Sequence, residues 1–469
     1  MDLEAYFSQL SPEEQVLQFG RKKTDPLALA LAFDRKRVVH AGMKGKMIPP
    51  PLAQGVWQKT LQGAPQGRPT QMAYFHIPFC KTKCLYCGFF QNGTSQEAED
   101  RYVDLLVREL EQDAAQPRLQ AAPIQAVFIG GGTPTSLAPE NARKLLSAIH
   151  RCLPLSNDCE LTLEGRIHDL VPEKMEVWFA EGVNRMSLGV QSFDTKVRQQ
   201  VGRIDDQDAV LEKLRALSAW NQCAVVIDLM YGLPDQTLEV WKKDVELLVQ
   251  SGVDGADLYQ LDVFDKSDLA LSIQKGRLSP AATTRQQTAL FAWGKGYLDA
   301  QGWKRLSFCH WARNNRERSL YNTLARSGVQ LFPFGCGAGG HVDGVSTMLH
   351  RALPMYERMV SAGQKPLMFL QQESPYARIA DRIQAQLNQC RLNLEDLARM
   401  DSRLSGLQWL GDLWEEYGLW KHNGYLYHLT EAGQFWEVNM TQTVLECVEL
   451  LLEGAEKGKV AEARVAEQG

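Results

Sequence analysis

The stretch Gln71-Met72-Ala73-Tyr74-Phe75-His76-Ile77-Pro78-Phe79-Cys80-Lys81-Thr82-Lys83-Cys84-Leu85-Tyr86-Cys87 decides the reading of this chain. Ala73–Ile77 is short, apolar and rich in residues that suit a pleated strand. Pro78 ends it, and three thiols follow on one loop. The chain holds ten cysteines. Cys152, Cys159, Cys223, Cys309, Cys336, Cys390 and Cys447 are scattered singly, as small buried hydrophobes commonly are. Cys80, Cys84 and Cys87 are clustered, which in a chain without an export signal suggests a metal. Tetrahedral zinc needs a fourth thiolate or imidazole, and no later Cys-x-x-Cys supplies one, so a zinc knuckle would have to use His76. Iron–sulfur clusters are held by Cys thiolates, usually four. Three on one loop leave one iron open to an outside ligand.

Outward from this stretch, short β-rich runs alternate with stretches of helical period. Strands are expected at Ala73–Ile77, Ile124–Ile129, Glu160–Glu164, Arg185–Val190, Ala224–Leu229 and Ala256–Asp262. Helices are expected near Glu97–Ala115, Pro139–Cys152, Pro172–Ala180, Asp206–Trp220 and Leu238–Gln250. In the first, Tyr102, Leu105, Leu106 and Leu110 fall on one core-facing stripe. Six alternations imply an α/β fold with a parallel sheet, as an open sheet or a partial (β/α)6 barrel. In either, chemistry sits at the C-terminal ends of the strands. The residues there are Gly130-Gly131-Gly132-Thr133-Pro134, Glu164, Gln191, Arg203 and Asp228, with Asp262 closing the sixth run.

The chain has 469 residues and a net charge of −5. That balance argues against a sequence-independent grip on nucleic acid, which rests on neutralising phosphates. No apolar run approaches the ~18 residues of a membrane span. The acidic start does not read as a secretory signal, so a cytoplasmic protein is expected. Residues 1–70 read as an irregular arm with one helix near Pro12–Phe19, a basic run at Arg35-Lys36-Arg37 and a breaker at Pro49-Pro50-Pro51. Residues 71–300 form the barrel, 301–370 an extension with a glycine-rich segment, and 371–456 a mostly helical accessory domain with a β wing. Residues 457–469 read as a frayed tail. Gly335-Cys336-Gly337-Ala338-Gly339-Gly340 fits a dinucleotide pattern, yet no helix opening follows, so a nicotinamide site is not expected.

The loop Cys80–Cys87, with Tyr86 just before the third thiol, resembles the cluster motif of radical S-adenosylmethionine (SAM) enzymes. Gly130-Gly131-Gly132-Thr133-Pro134 is similar to the segment that receives the methionine amino group there. Gly182–Phe193 and Asp228-Leu229-Met230-Tyr231-Gly232-Leu233-Pro234 resemble the coproporphyrinogen dehydrogenase subgroup. The resemblance implies a 4Fe–4S cluster on Cys80, Cys84 and Cys87. It also implies SAM contacts from Tyr74, Gly131, Gly132, Thr133, Glu164, Gln191, Arg203 and Asp228, with Tyr86, Asp262 and His341 as further cofactor contacts. The physics agrees, since Arg can fork onto a carboxylate while Asp and Glu take an amine and ribose hydroxyls.

Within the subgroup, the decarboxylases usually carry a proline soon after the third-strand glutamate. This chain has Glu164-Gly165-Arg166-Ile167 instead. It is more similar to the heme-opening family, the anaerobilin synthases. The shared runs are Cys87-Gly88-Phe89-Phe90-Gln91-Asn92, Glu164-Gly165-Arg166, His310-Trp311-x-Arg313 with Arg316–Asn322, Phe334–Gly340, and Asp25-Pro26-Leu27. That resemblance implies heme as substrate, with His310, Arg166 and Arg313 as catalytic candidates: His310, His168 and His341 for axial or meso-edge contacts, Arg166 and Arg313 for pairing with the propionates. It implies two SAM molecules, one cleaved to a deoxyadenosyl radical and one giving a one-carbon unit to a porphyrin meso carbon. The ring would open to a linear tetrapyrrole, with electrons from a flavodoxin or a flavin reductase. Decarboxylation of coproporphyrinogen and heme delivery by a chaperone are the competing activities.

Overall fold

The computed structural model describes residues 2–22, 28–38, 40–64, 69–88 and 92–453. The runs at Asp25-Pro26-Leu27 and Phe89-Phe90-Gln91 and the tail 457–469 lie outside the described residues. The alternation resolves into six parallel strands: β1 Gln71–Ile77, β2 Ile124–Gly131, β3 Leu155–Arg166, β4 Arg185–Gln191, β5 Ala224–Tyr231 and β6 Gly255–Gln260. The helices between them are α1 Gln96–Ala114, α2 Pro139–Cys152, α3 Pro172–Ala180, α4 Gln207–Trp220 and α5 Leu238–Ser251. Most bounds fall within two residues of the periodicity reading because caps fix them. Ser95, Asp206 and Thr237 each accept a backbone N–H of the first turn, which satisfies a donor the helix itself leaves unpaired. α1 buries Tyr102, Val103, Leu106 and Leu110 against the sheet, each worth about 1.5–3 kcal/mol in burial.

Four features depart from the sequence reading. The parallel run has a seventh strand, because β8 Gln330–Phe334 pairs with β1 in register Phe332↔Ala73. The sheet then continues antiparallel through β9 Gly339–Val342, β10 Val345–Leu349 and β11 Leu367–Gln372. On the other flank, β7 His310–Ala312 runs antiparallel to β6. Asp262 falls beyond the end of β6 rather than within it. Finally, Pro50 and Pro51 open a helix, Pro50–Gln62, rather than break one. Proline is harmless in a first turn, where the missing N–H has no partner to lose.

The arm is largely helical and fastened to the other end of the chain. The indole N–H of Trp414 donates to Phe19 O and that of Trp436 to Leu29 O. Arg37 pairs with Glu446 at 2.9 Å. The accessory region carries helices Ala377–Asn388, Gln408–Glu416 and Glu437–Glu453, with a three-stranded wing built on the hairpin Trp420–Asn423/Leu426–Leu429. Among the described residues, no helix is long and apolar enough to cross a membrane.

Alternation along the strands gives the sheet two faces. Phe75, Ile77, Val127, Ile129, Leu161, Leu163, Leu188 and Ile227 belong to the apolar core. The other face carries Tyr74, Phe128, Thr162, Glu164, Ser187, Gly189, Asp228 and Asp257, matched by register across β1 to β6. This inner face is where polar chemistry is concentrated.

Candidate functional site

The C-terminal ends of β1 to β5 bring the thiol loop, the glycine turn and four polar side chains together. Cys80 and Cys84 are buried, and Cys87 is half-buried. The loop is anchored by Cys80 N–H donating to Asn92 O, Leu85 N–H to Val201 O and Leu269 N–H to Leu85 O. Burial pushes the Cys80 thiol up, opposed by a hydrogen bond from Thr133 Oγ1 at 3.4 Å and the charge of Arg166. Among the described residues, no three His, Cys, Asp or Glu side chains converge on one ion. The zinc knuckle thus lacks its geometry, and the His76 Nδ1 lies 2.9 Å from Tyr74 Oη instead. A cubane takes one thiolate per iron and needs no such convergence.

The glycine turn lies directly over β1. Gly131 has φ +113°, and a Cβ there would sit 2.7 Å from the His76 ring. Gly132 N–H donates to Ile77 O at 2.7 Å, and a Cβ on it would strike the Phe79 carbonyl. Only glycine lets the β2 backbone pass this close to the strand that carries the thiols.

Glu164 reaches back from β3 and accepts from Gly131 N–H at 3.1 Å. Burial raises its carboxyl to about 7, and that one hydrogen bond offsets only part of the cost. Gln191 ends β4 at φ +72° with its Oε1 buried and lacking a partner. A left-handed conformation in a non-glycine residue costs about 1–3 kcal/mol and is typical of a site held in a set geometry. Arg203 Nη2 donates to Tyr86 Oη at 2.7 Å, while its Nη1 is buried without a partner. Gln191 Nε2 and Arg203 Nη2 both lie 2.8 Å from where a Cβ on Gly189 would be. Asp228 has a buried, unpartnered Oδ1. Burial, then repulsion from Asp257 and Glu164, raises its carboxyl to about 8. A cleft of about 510 Å³, open to solvent, is lined by Thr82, Thr133, Arg166, Gly189 and Arg203. Orphaned guanidinium, amide and carboxylate atoms together fit a zwitterionic, cationic ligand such as SAM beside the three clustered thiols.

Other residues singled out in the sequence are elsewhere. Arg313 is exposed and its N–H donates to Asp254 O. β7 runs antiparallel, so Arg313 emerges at the N-terminal ends of the strands and not at the mouth. This departs from the expectation of a heme contact at the mouth, where the strands end. His310 is 1 % exposed, with Nδ1 3.0 Å from Asp257 and Nε2 3.2 Å from Glu317. Glu317 also pairs with Arg185 at 3.0 Å. Burial pulls His310 down, but Asp257 and Glu317 outweigh it and hold the imidazole at about 9. Glu317 is pushed up by burial yet held at about 2, chiefly by Arg185.

Asp262 lies 3.4 Å from Lys36 of the arm. His341 is on β9, paired with Leu331 near the start of β8, and its Nε2 is buried without a partner. His168 is exposed at the cleft rim, 3.6 Å from Asp205. The segment after Gly335 is a strand, not a helix, in keeping with the absence of a dinucleotide turn.

The sequence reading missed Asp257, Glu317, Thr82, Thr135 and an aromatic group on the inner face. Tyr321 packs on Phe128 with centroids 4.8 Å apart and on Tyr74 at 6.3 Å. An acid inside a strand, as in Ala256-Asp257-Leu258, was a readable signal, since a buried carboxylate needs a partner. The tertiary meeting of Tyr321 with Phe128 left none.

Comparison with known proteins bears on the same residues. The Radical SAM superfamily model matches residues 74–248. The chain is 35% identical over 402 residues to "Anaerobilin synthase" of Escherichia coli O157:H7, covering 85% of this chain and 89% of that protein. It is 33% identical over 283 residues to "Heme chaperone HemW" of Bacillus subtilis, covering 59% of this chain and 72% of the chaperone. The solved structure of coproporphyrinogen III oxidase (HemN) from Escherichia coli superposes with TM-score 0.75 at 19% identity, over 91% of this chain and 99% of that one. The chain therefore belongs to the radical SAM superfamily, as an enzyme of its HemN-like group.

Proposed function

We propose that this radical SAM enzyme degrades heme anaerobically, transferring a methyl group to a porphyrin meso carbon and opening the ring to a linear tetrapyrrole with release of iron. The observation that carries this reading is the extent of its likeness to anaerobilin synthase, which runs through most of both chains. The likeness to the heme chaperone stops at 59% of this chain.

Cys80, Cys84 and Cys87 would hold a 4Fe–4S cluster with one open iron. When bound, cluster and SAM supply one-electron reduction and hydrogen-abstracting chemistry, and the protein supplies position and exclusion of water. Arg203 pairs with the methionine carboxylate through the Nη1 that now lacks a partner. The backbone of Gly130–Gly132 and Glu164 receives the amino group, while Asp228 takes ribose hydroxyls and Gln191 and Tyr86 steady the nucleoside. A second SAM would supply the methyl group, and a flavodoxin or flavin reductase the electrons. Heme lies against Tyr74, Phe128 and Tyr321, whose flat rings suit a porphyrin face. His310, buried between Asp257 and Glu317, would serve this arrangement by bracing Asp257.

The test is anaerobic incubation with heme, a reductant and SAM, followed by mass analysis of the pigment. A linear methylated tetrapyrrole, lost in Cys84→Ala, is expected. Intact bound heme with little deoxyadenosine would assign a carrier role of the HemW kind, and a decarboxylated porphyrinogen the HemN reaction.

A further inference from the structure

The run Glu164-Gly165-Arg166 does more than end β3. Arg166 Nη1 donates to Thr82 Oγ1 at 2.6 Å, and Thr82 lies between Cys80 and Cys84. The Arg166 backbone N–H donates to Thr135 Oγ1 at 3.1 Å, and Thr135 Oγ1 lies 3.2 Å from Asp169 Oδ2. Asp169 in turn is 3.7 Å from Lys81 Nζ, on the same thiol loop. Thr135 is fully buried, and a Cβ on Gly165 would collide with its side chain. Held on Thr82, the guanidinium lies against the segment of loop that joins Cys80 to Cys84. Two contacts from the end of β3 and the turn after it thus hold adjacent residues of the thiol loop, Arg166 through Thr82 and Asp169 through Lys81. The turn after the glycines is the fulcrum.

We infer that Arg166 is a positioning residue for the iron–sulfur centre: it fixes the thiol loop through Thr82 and sets a positive charge beside the cluster that favours its reduced form. The inference rests on the cluster reading above. Reduction adds a negative charge to the cluster, and a fixed cation in a low-dielectric surround stabilises the more negative state. Gly165 belongs to the same device, because a side chain there would displace Thr135 and with it the Arg166 backbone.

The test uses the full-length protein, reconstituted anaerobically, with iron content, the cluster midpoint potential by redox-poised EPR, and heme affinity measured on the same samples. Arg166→Gln is expected to load iron but shift the midpoint to more negative potential, with heme affinity unchanged. Arg166→Lys should restore the midpoint, since it keeps the charge. Thr82→Val should keep the midpoint near that of the wild type and hasten loss of iron to a chelator. An unchanged midpoint in Arg166→Gln overturns the inference, as does a fall in heme affinity without a midpoint shift, which would make Arg166 a propionate partner. If Arg166→Gln loads no iron, slow chelator loss in Thr82→Val overturns it and fast loss sustains it. Wild-type protein that takes up no iron would instead defeat the cluster reading itself.

Discussion

The two ends of the inner face, one fully buried and the other half-buried, are oppositely settled. At the N-terminal ends of the strands, Arg185, Glu317, His310 and Asp257 form a chain in which every charge has an opposite charge within 3.2 Å. At the C-terminal ends, Arg203 is bonded to a neutral phenol, Glu164 to a backbone N–H, and Asp228 Oδ1 to nothing. The ionisation of the groups follows. Glu317 is held at about 2 and His310 at about 9, so both stay charged at neutral pH. Glu164 and Asp228 are pushed to about 7 and about 8, so their charged forms lack a counterion. Burial alone does not mark a site. A buried charge with its partner present braces the fold, whereas one whose partner is missing waits for a ligand.

The sharpest way to break this contrast is to remove a charge at the braced end. Glu317→Gln leaves Arg185 and His310 without a carboxylate between them, and is expected to cost about 3–5 kcal/mol of stability, measured by denaturant unfolding. His310 adds a pH signature. Its folded value exceeds the ordinary 6.5, so its stabilisation is complete below 6.5 and is lost as pH rises through about 9. An unfolding free energy flat from pH 7 to 10 would refute that coupling.

At the mouth the effects fall on binding. SAM carries an ammonium, so Glu164 must lose its proton to pair with it, and Asp228 accepts from both ribose hydroxyls only as a carboxylate. Affinity is therefore expected to strengthen as pH rises through about 7 to 8 and to level off above. Asp228→Asn should lower SAM affinity by about 1.5–3 kcal/mol at pH 8.5 and flatten the upper part of the profile, while leaving the fold as stable as before. Calorimetric titration across pH 6–9 checks both. The smallest effect belongs to Arg313→Ala. An exposed side chain at the far end should change stability by less than about 0.5 kcal/mol and leave heme and SAM affinities unmoved. A loss of heme binding there would place the porphyrin at the floor and reverse the comparison.

Local pattern made much of this legible. Prolines in the first turn and apolar runs fixed α2 and α3 to the residue, and thiols and glycines at strand ends marked the mouth. What escaped depends on direction and distance. His310-Trp311-x-Arg313 reads as another strand end, but β7 is antiparallel and carries Arg313 away from the mouth. β8 is a five-residue run with a proline at its fourth position, and nothing local says that it lies beside β1. Pro50 and Pro51 were indistinguishable from a breaker without knowledge of the burial of Ala53, Trp57 and Leu61 on one helical stripe. The unpartnered atoms of Gln191 and Arg203 have no sequence signal at all, because lacking a partner is a property of the folded surroundings.

The pairing of β1 with β8 has a consequence for how the protein is made. β1 leads straight into the thiol loop, and it has only β2 as a neighbour until Gln330–Phe334 has been synthesised, more than half the chain later. The Trp414 and Trp436 anchors of the arm arrive later still. Contacts this distant along the chain form slowly, and a growing chain folds its N-terminal part first. On the ribosome the three thiols would thus emerge on a half-supported strand, exposed to oxygen and to stray metal. Insertion of the cluster belongs after release of the whole polypeptide, and a chain truncated before Gln330 should be unable to retain iron however intact its cysteines.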